Sequence, residues 1–349
     1  MSYFRPSIDT LRAYEPGEQP SPGSSVLKLN TNENAYPPSA KALATLRDIE
    51  PDNLRRYPHP FAEEFRQSAA AVLGINSDWI VVGNGSDDLL AMLFRSISGV
   101  KRPVAFPVPT YSLYRTLAQM QEVPTIEVPF DDTFTLPVNG LAAAAAALTI
   151  VASPNSPSGN RISTSDLYDL ATRTPGVLVI DEAYVEFASG DALDLTNRCK
   201  NVIVLRTLSK SHSLAGLRLG FAVAQPSLVA GLVKVKDSYN VDAISARVGA
   251  VAIRDQDHTR ETTKRICSSR ESLAKALEAI QYRVWPSEAN FLLVQPPGGN
   301  ARAVYEGLKA NGILVRHFNE PTLIDRLRIT VGTDEQNEQL LKALECLNR

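Results

Sequence analysis

The strongest constraint on the fold is an alternation. Short runs of apolar and β-branched residues occur at 80–82, 104–106, 125–128, 150–152, 177–180, 202–205 and 221–224. Stretches with helical spacing, at 87–98, 111–121, 141–147 and 165–173, fall between most of them. A strand buried on both faces reads as a continuous apolar run, and a crossover helix between consecutive strands makes those strands parallel. The sequence therefore predicts an α/β protein with a mostly parallel seven-stranded sheet, covered by helices on both faces.

The ends of the chain read differently. Residues 1–29 are rich in Pro, Gly and Ser and read as an extended arm. Ser39 is expected to cap a helix over 39–48, and 61–73 is amphipathic and helical. Past residue 250 a long charged helix at 258–280 leads into strands at 291–295, 313–316 and 327–331 and helices at 301–311 and 335–347. This predicts a large domain over 30–250 and a smaller α+β domain over 251–349, with the arm packing on the latter.

Composition narrows the function. The net charge of −2, with no charge block, gives no support for a nucleic-acid or membrane-surface partner. No run approaches roughly 20 apolar residues, as a membrane span requires. The first twenty residues lack the apolar core of a secretory leader. Cys199, Cys267 and Cys346 are odd in number and scattered, which fits free thiols in a reducing compartment and a cytoplasmic protein. His59, His212, His258 and His317 show no metal-ligand spacing, so no metal is expected. A serine-hydrolase elbow and the third glycine of a dinucleotide fingerprint are both missing.

In a parallel sheet, ligands sit beyond the carboxyl ends of the strands, so the residues after each apolar run are the ones to inspect. Gly83-Asn84-Gly85-Ser86-Asp87 opens a helix, and reads either as a phosphate cradle or as a plain tight turn. Ser153-Pro154-Asn155-Ser156-Pro157-Ser158-Gly159 is either a fixed loop with an amide donor or simply a proline-rich loop. Asp181, after four buried-strand residues, needs a cationic partner: a pyridinium nitrogen, or a neighbouring arginine. Lys210 follows the 202–205 run through Thr207 and Ser209, with Arg218 eight positions on. It reads as a covalent anchor for a phosphorylated aldehyde, with the hydroxyls and Arg218 as phosphate donors, or as a solvated loop lysine. Arg316 and Arg328, on or beside apolar strands, suit an anionic substrate if they face a cleft.

Taken in order, these motifs resemble the fold-type I aminotransferases that use pyridoxal 5′-phosphate. The resemblance spans nearly the whole chain. It runs from Leu29-Asn30-Thr31-Asn32-Glu33-Asn34 and Arg56-Tyr57-Pro58 through Pro109-Thr110-Tyr111, Asp181-Glu182-Ala183-Tyr184 and Thr207-Leu208-Ser209-Lys210 to Leu327-Arg328-Ile329-Thr330. It implies that Lys210 bonds the cofactor's aldehyde and then carries a proton, that Asp181 pairs with the ring nitrogen, and that Tyr184 and Asn155 bond the phenolic oxygen. It further implies that Tyr111 stacks on the ring and that Ser86, Asp87, Thr207, Ser209 and Arg218 hold the phosphate. Tyr57 would reach the phosphate in a neighbouring subunit, which implies a homodimer. Tyr14, Asn32, Arg316 and Arg328 would bind substrate. One departure stands out: the family often has asparagine directly before the loop proline, where this chain has Ser156. The implied activity is exchange of an amino group between histidinol phosphate and 2-oxoglutarate. An aromatic amino-acid aminotransferase, a threonine-phosphate decarboxylase and a non-catalytic cofactor-binding protein are the rivals.

Overall fold

The computed structural model describes residues 2–11, 17–21 and 23–347. Its main sheet has seven strands, in the order Ile80–Gly83, Gly220–Ala224, Val202–Thr207, Val177–Asp181, Leu148–Ala152, Val104–Val108 and Thr125–Pro129. Only Gly220–Ala224 runs against the rest. The four central strands are buried at nearly every position, which is why each appears as an unbroken apolar run. The edge strand Thr125–Pro129 instead alternates exposed and half-buried residues, as an edge should.

Helices cover both faces. Ser86–Ile97 turns Leu89, Leu90, Met92, Leu93 and Phe94 into one layer of core beside Phe106 and Ile203. Each such fully buried side chain contributes about 1.5–3 kcal/mol of transfer free energy. On the other face Glu63–Leu73 and Ala243–Arg254 pack around Phe65, Phe221 and Val248. A separate four-stranded antiparallel sheet, ordered Arg316–His317, Leu327–Thr330, Phe291–Gln295 and Arg283–Val284, carries helices Gln256–Ala279, Ala301–Ala310 and Asp334–Leu347 with a core of its own. No described helix is long and apolar enough to cross a membrane.

Several local expectations change. Ser39 makes no cap bond; its hydroxyl donates to Asp255 Oδ2 at 2.5 Å, and Lys41 Nζ lies 2.7 Å from Oδ1. Asp255 is the joint between Ala243–Arg254 and Gln256–Ala279, so Ser39 secures a junction rather than a helix end. The Ala243–Arg254 helix runs unbroken past residue 250. The helix expected at 141–147 lies at Val138–Ala143, because Pro137 starts it and Ala145, at φ 46°, lies outside the helical region.

The arm touches both halves of the molecule rather than the small one alone. Its first helix, Pro6–Asp9, rests on Leu113–Met120, where Arg5 Nη2 donates to the Met120 carbonyl at 2.9 Å. Further along, Lys309 pairs with Glu18, and Leu27–Lys28 forms a parallel ladder with Ile313–Leu314.

Candidate active site

The two halves enclose a cleft of about 1180 Å³ at the carboxyl ends of the parallel strands. Its floor is Asp181, the last residue of Val177–Asp181, which is 5% exposed. Tyr114 Oη donates to Asp181 Oδ2 at 2.7 Å and the Ala183 N–H to Oδ1 at 3.2 Å. No described lysine, arginine or histidine forms an ion pair with it. Burial, with these two donors opposing, pushes its pKa up to about 6. The next residue, Glu182, is committed elsewhere: its carboxylate pairs with Arg206 and accepts the Ala192 N–H. Strand alternation sends these adjacent acids in opposite directions.

Lys210 leaves the loop after Val202–Thr207. Its Nζ donates to the Thr31 carbonyl at 3.2 Å and lies 5.7 Å from the centre of the Tyr184 ring. Tyr184 Oη accepts from Asn32 Nδ2 at 2.9 Å. Asn32 is buried at φ 57° and is held from the small half, where Thr330 Oγ1 accepts its N–H and donates to its Oδ1. Asn290 Nδ2 donates to its carbonyl. Asn32 thus anchors Tyr184 while itself lining the cleft.

One corner of the cleft, suited to an anion, is built from three elements. The N-terminus of Ser86–Ile97 presents the N–H groups of Ser86 and Asp87. Thr207 and Ser209 are bonded to each other through their hydroxyls at 3.0 Å. Arg218 Nη2 donates to Asp87 Oδ2 at 3.0 Å, and Tyr111 Oη donates to Oδ1 at 3.3 Å. Glycine is required twice. A Cβ on Gly85, whose φ is 80°, would stand 2.7 Å from Arg218 Nη2, and one on Gly220 would stand 2.7 Å from the Ser86 nitrogen.

Across the cleft Arg328 Nη1 donates to Ser156 Oγ at 3.0 Å and Nη2 to the Asn30 carbonyl at 2.9 Å. Arg316 lines the same wall, with its guanidinium 5.9 Å from the Phe318 ring.

Fourteen of the fifteen residues singled out from the sequence lie in the described part; Tyr14 lies outside it. Asp181, Tyr184, Lys210, Ser86, Asp87, Tyr111, Thr207, Ser209, Arg218, Asn32, Arg316 and Arg328 all line the one cleft. Two do not. Asn155 is fully buried behind the loop, where its amide donates to the Pro109 carbonyl and Ser158 Oγ and its oxygen accepts from Thr110. Ser156 faces the cleft in its place. Tyr57 is 81% exposed and stacks on Tyr239, outside the cleft of its own chain. Tyr114 escaped the sequence reading, although it sits only three positions after Tyr111, at the start of the helix Leu113–Met120.

The residues fit pyridoxal phosphate. A buried carboxylate with no cationic partner among the described residues suits a protonated ring nitrogen, a lysine amine points into the same space, and an arginine with a helix N-terminus suits a phosphate. This fold and this donor set are those of a pyridoxal-phosphate aminotransferase. The comparisons agree: the chain belongs to the aminotransferase class I and II family, whose model matches residues 24–344, and within it to the histidinol-phosphate aminotransferase branch. A histidinol-phosphate aminotransferase of Trichormus variabilis is 53% identical over 100% of this chain and 99% of that one. Another, from a Nostoc species, is 52% identical over 99% and 98%. The crystal structure of the Sinorhizobium meliloti histidinol-phosphate aminotransferase in complex with pyridoxal-5′-phosphate superposes with a TM-score of 0.91 at 27% identity, covering 100% and 98%.

Proposed function

We propose that this chain binds pyridoxal 5′-phosphate and uses it to exchange an amino group between histidinol phosphate and 2-oxoglutarate, giving imidazole-acetol phosphate and glutamate. The observation that carries the chemistry is the presence, in one cleft, of a lysine amine and a buried carboxylate with no cationic partner among the described residues. The observation that carries the substrate is full-length similarity to histidinol-phosphate aminotransferases.

When bound, the cofactor supplies an aldehyde that takes the amino group and a ring that withdraws electrons from it. Asp181 holds the ring nitrogen in its protonated form. Lys210 Nζ holds the aldehyde and afterwards carries the proton between the substrate carbon and the cofactor carbon, acting as base and then acid. Tyr184 is oriented for this. Asn32 occupies a lone pair of its oxygen, so its own proton is free to be donated towards the cofactor's phenolic oxygen. Ser86, Asp87, Thr207, Ser209 and Arg218 hold the phosphate, while Arg316 and Arg328 receive the anionic end of each substrate. Ser156 takes the loop position next to the phenolic oxygen, in place of Asn155. Tyr57, exposed beside Tyr239, completes the phosphate site of a second subunit in a homodimer. The large and small halves meet at Asp255.

The test is direct. Purified protein loaded with pyridoxal phosphate is given histidinol phosphate, phenylalanine or threonine phosphate, each with 2-oxoglutarate, and glutamate and carbon dioxide are followed. Glutamate formation with histidinol phosphate is expected. Silence there, with turnover of another donor, refutes the substrate assignment. Borohydride should fix the cofactor to Lys210 in the native chain and fail to do so in Lys210→Ala.

A further inference from the structure

We propose that Tyr114 is a positioning residue for Asp181, fixing the carboxylate's orientation and basicity and thereby the charge on the cofactor's ring nitrogen. The proposal rests on the reading that this cleft holds pyridoxal phosphate.

Tyr114 is the largest fully buried side chain of the molecule among those described, and it belongs to the core cluster that includes Phe106 and Leu117. Packing alone would be served by phenylalanine, since its ring contacts are edge contacts, to Phe106 at 5.9 Å and Tyr111 at 5.7 Å. A buried hydroxyl needs a partner, and this one donates to Asp181 Oδ2 at 2.7 Å. Burial, reinforced by the Asp181 carboxylate, holds the phenol well above the ordinary tyrosine range, so it remains a donor at every working pH.

The consequence follows from how few donors Asp181 has. The Ala183 N–H serves Oδ1 and Tyr114 serves Oδ2. Between them they fix the plane of the carboxylate and leave its remaining lone pairs for a ring N–H. The hydrogen bond also spreads the carboxylate's charge and weakens it as a base. Without it, Asp181 draws the shared proton further from the ring, and the ring loses positive charge. That charge is what makes the nearby lysine–cofactor linkage acidic. The other ionisable groups around this point are Asp87, paired with Arg218, together with Tyr111, Tyr184 and Lys210. Arg218 and Tyr111 donate to Asp87, and Tyr184 accepts from Asn32.

Tyr114→Phe in the loaded enzyme tests this, since it keeps the ring and removes one oxygen. Three readouts are expected to move. Cofactor affinity, followed by absorbance titration, weakens by about tenfold or more, the range for a hydrogen bond to a charged group. The pH midpoint of the bound cofactor's visible absorbance moves upward. The kcat falls by about tenfold, while KM for glutamate stays within about twofold. A purely structural role predicts unchanged affinity for the cofactor and an unchanged midpoint, and that result overturns the proposal. If the phenylalanine protein does not fold, 3-fluorotyrosine placed at 114 keeps the shape and strengthens the donor; the midpoint must then move downward, and a fixed midpoint overturns the proposal. Native protein that takes up no pyridoxal phosphate overturns instead the reading of the cleft on which the proposal rests.

Discussion

Asp181 should make the cofactor-free protein less stable than it need be, and the size of the effect follows from its environment. Burial raises its pKa from 3.8 to about 6. A carboxyl group whose pKa is higher in the folded state than in the unfolded state binds its proton more readily when folded. Its contribution is therefore fully present below pH 3.8 and is lost as the pH rises through 6. At pH 5 the protonated form still favours folding by about tenfold, or about 1.4 kcal/mol, and by pH 8 that advantage is gone. Asp181→Asn stays uncharged throughout and lacks this term. Urea unfolding of both cofactor-free proteins at pH 5 and pH 8 measures it: the native chain should lose about 1.4 kcal/mol more than the variant between the two conditions. Other buried acids, such as Glu182, titrate in both proteins and cancel in the double difference. Adding pyridoxal phosphate should remove the penalty from the native chain at pH 8 and do little for the variant. Equal pH slopes for the two proteins without cofactor would show that Asp181 is not a strained charge, and the argument for a cationic ligand at that point would fail.

Other substitutions separate the parts of the site. Arg328→Lys keeps the charge but loses the planar fork that spans Ser156 and Asn30; KM for glutamate should rise about ten- to hundredfold, and steady-state kinetics will show it. Gly85→Ala adds a Cβ at positive φ against the Arg218 guanidinium, so cofactor affinity measured by absorbance titration should fall by about tenfold or more. Phe65→Ala opens a cavity against Phe221 at a core position that does not line the cleft; it should cost about 3–5 kcal/mol in urea unfolding while leaving KM unchanged.

The sheet was legible because burial on both faces leaves an unbroken apolar signature, and each of its strands lies within a residue or two of where those runs place it. Two strands extend beyond their runs because their last residues are polar for the site's sake: Asp181 and Thr207 belong to the ladder and also line the cleft. Residues at strand ends were therefore found easily. What escaped depends on distant partners. Nothing near Ser39 announces Asp255, which lies 216 positions away. Whether Asn155 or Ser156 faces the cleft turns on how the loop packs against Pro109 and Thr110. Tyr114 carries no local signal of its role, because its hydroxyl's partner lies on a strand 67 positions later.

The segment from Asn30 to Asn34 ties the two ends of the chain together, and that bears on how the protein is made. Asn30 and Asn32 bond to Arg328 and Thr330, 298 positions away, and Asn34 donates to the carbonyls of Lys210 and Ser211. Contacts of such long sequence separation form late, since the loops they close are entropically costly. On a ribosome these residues emerge early, while the Arg328 and Thr330 groups that hold Asn30 and Asn32 arrive only with the last strand of the small sheet. The seven-stranded sheet, complete by Ala224, can assemble well before that. The order of folding is thus scaffold first and cleft last, and a chain cut short before residue 327 would keep its large sheet and lack the wall that closes its site.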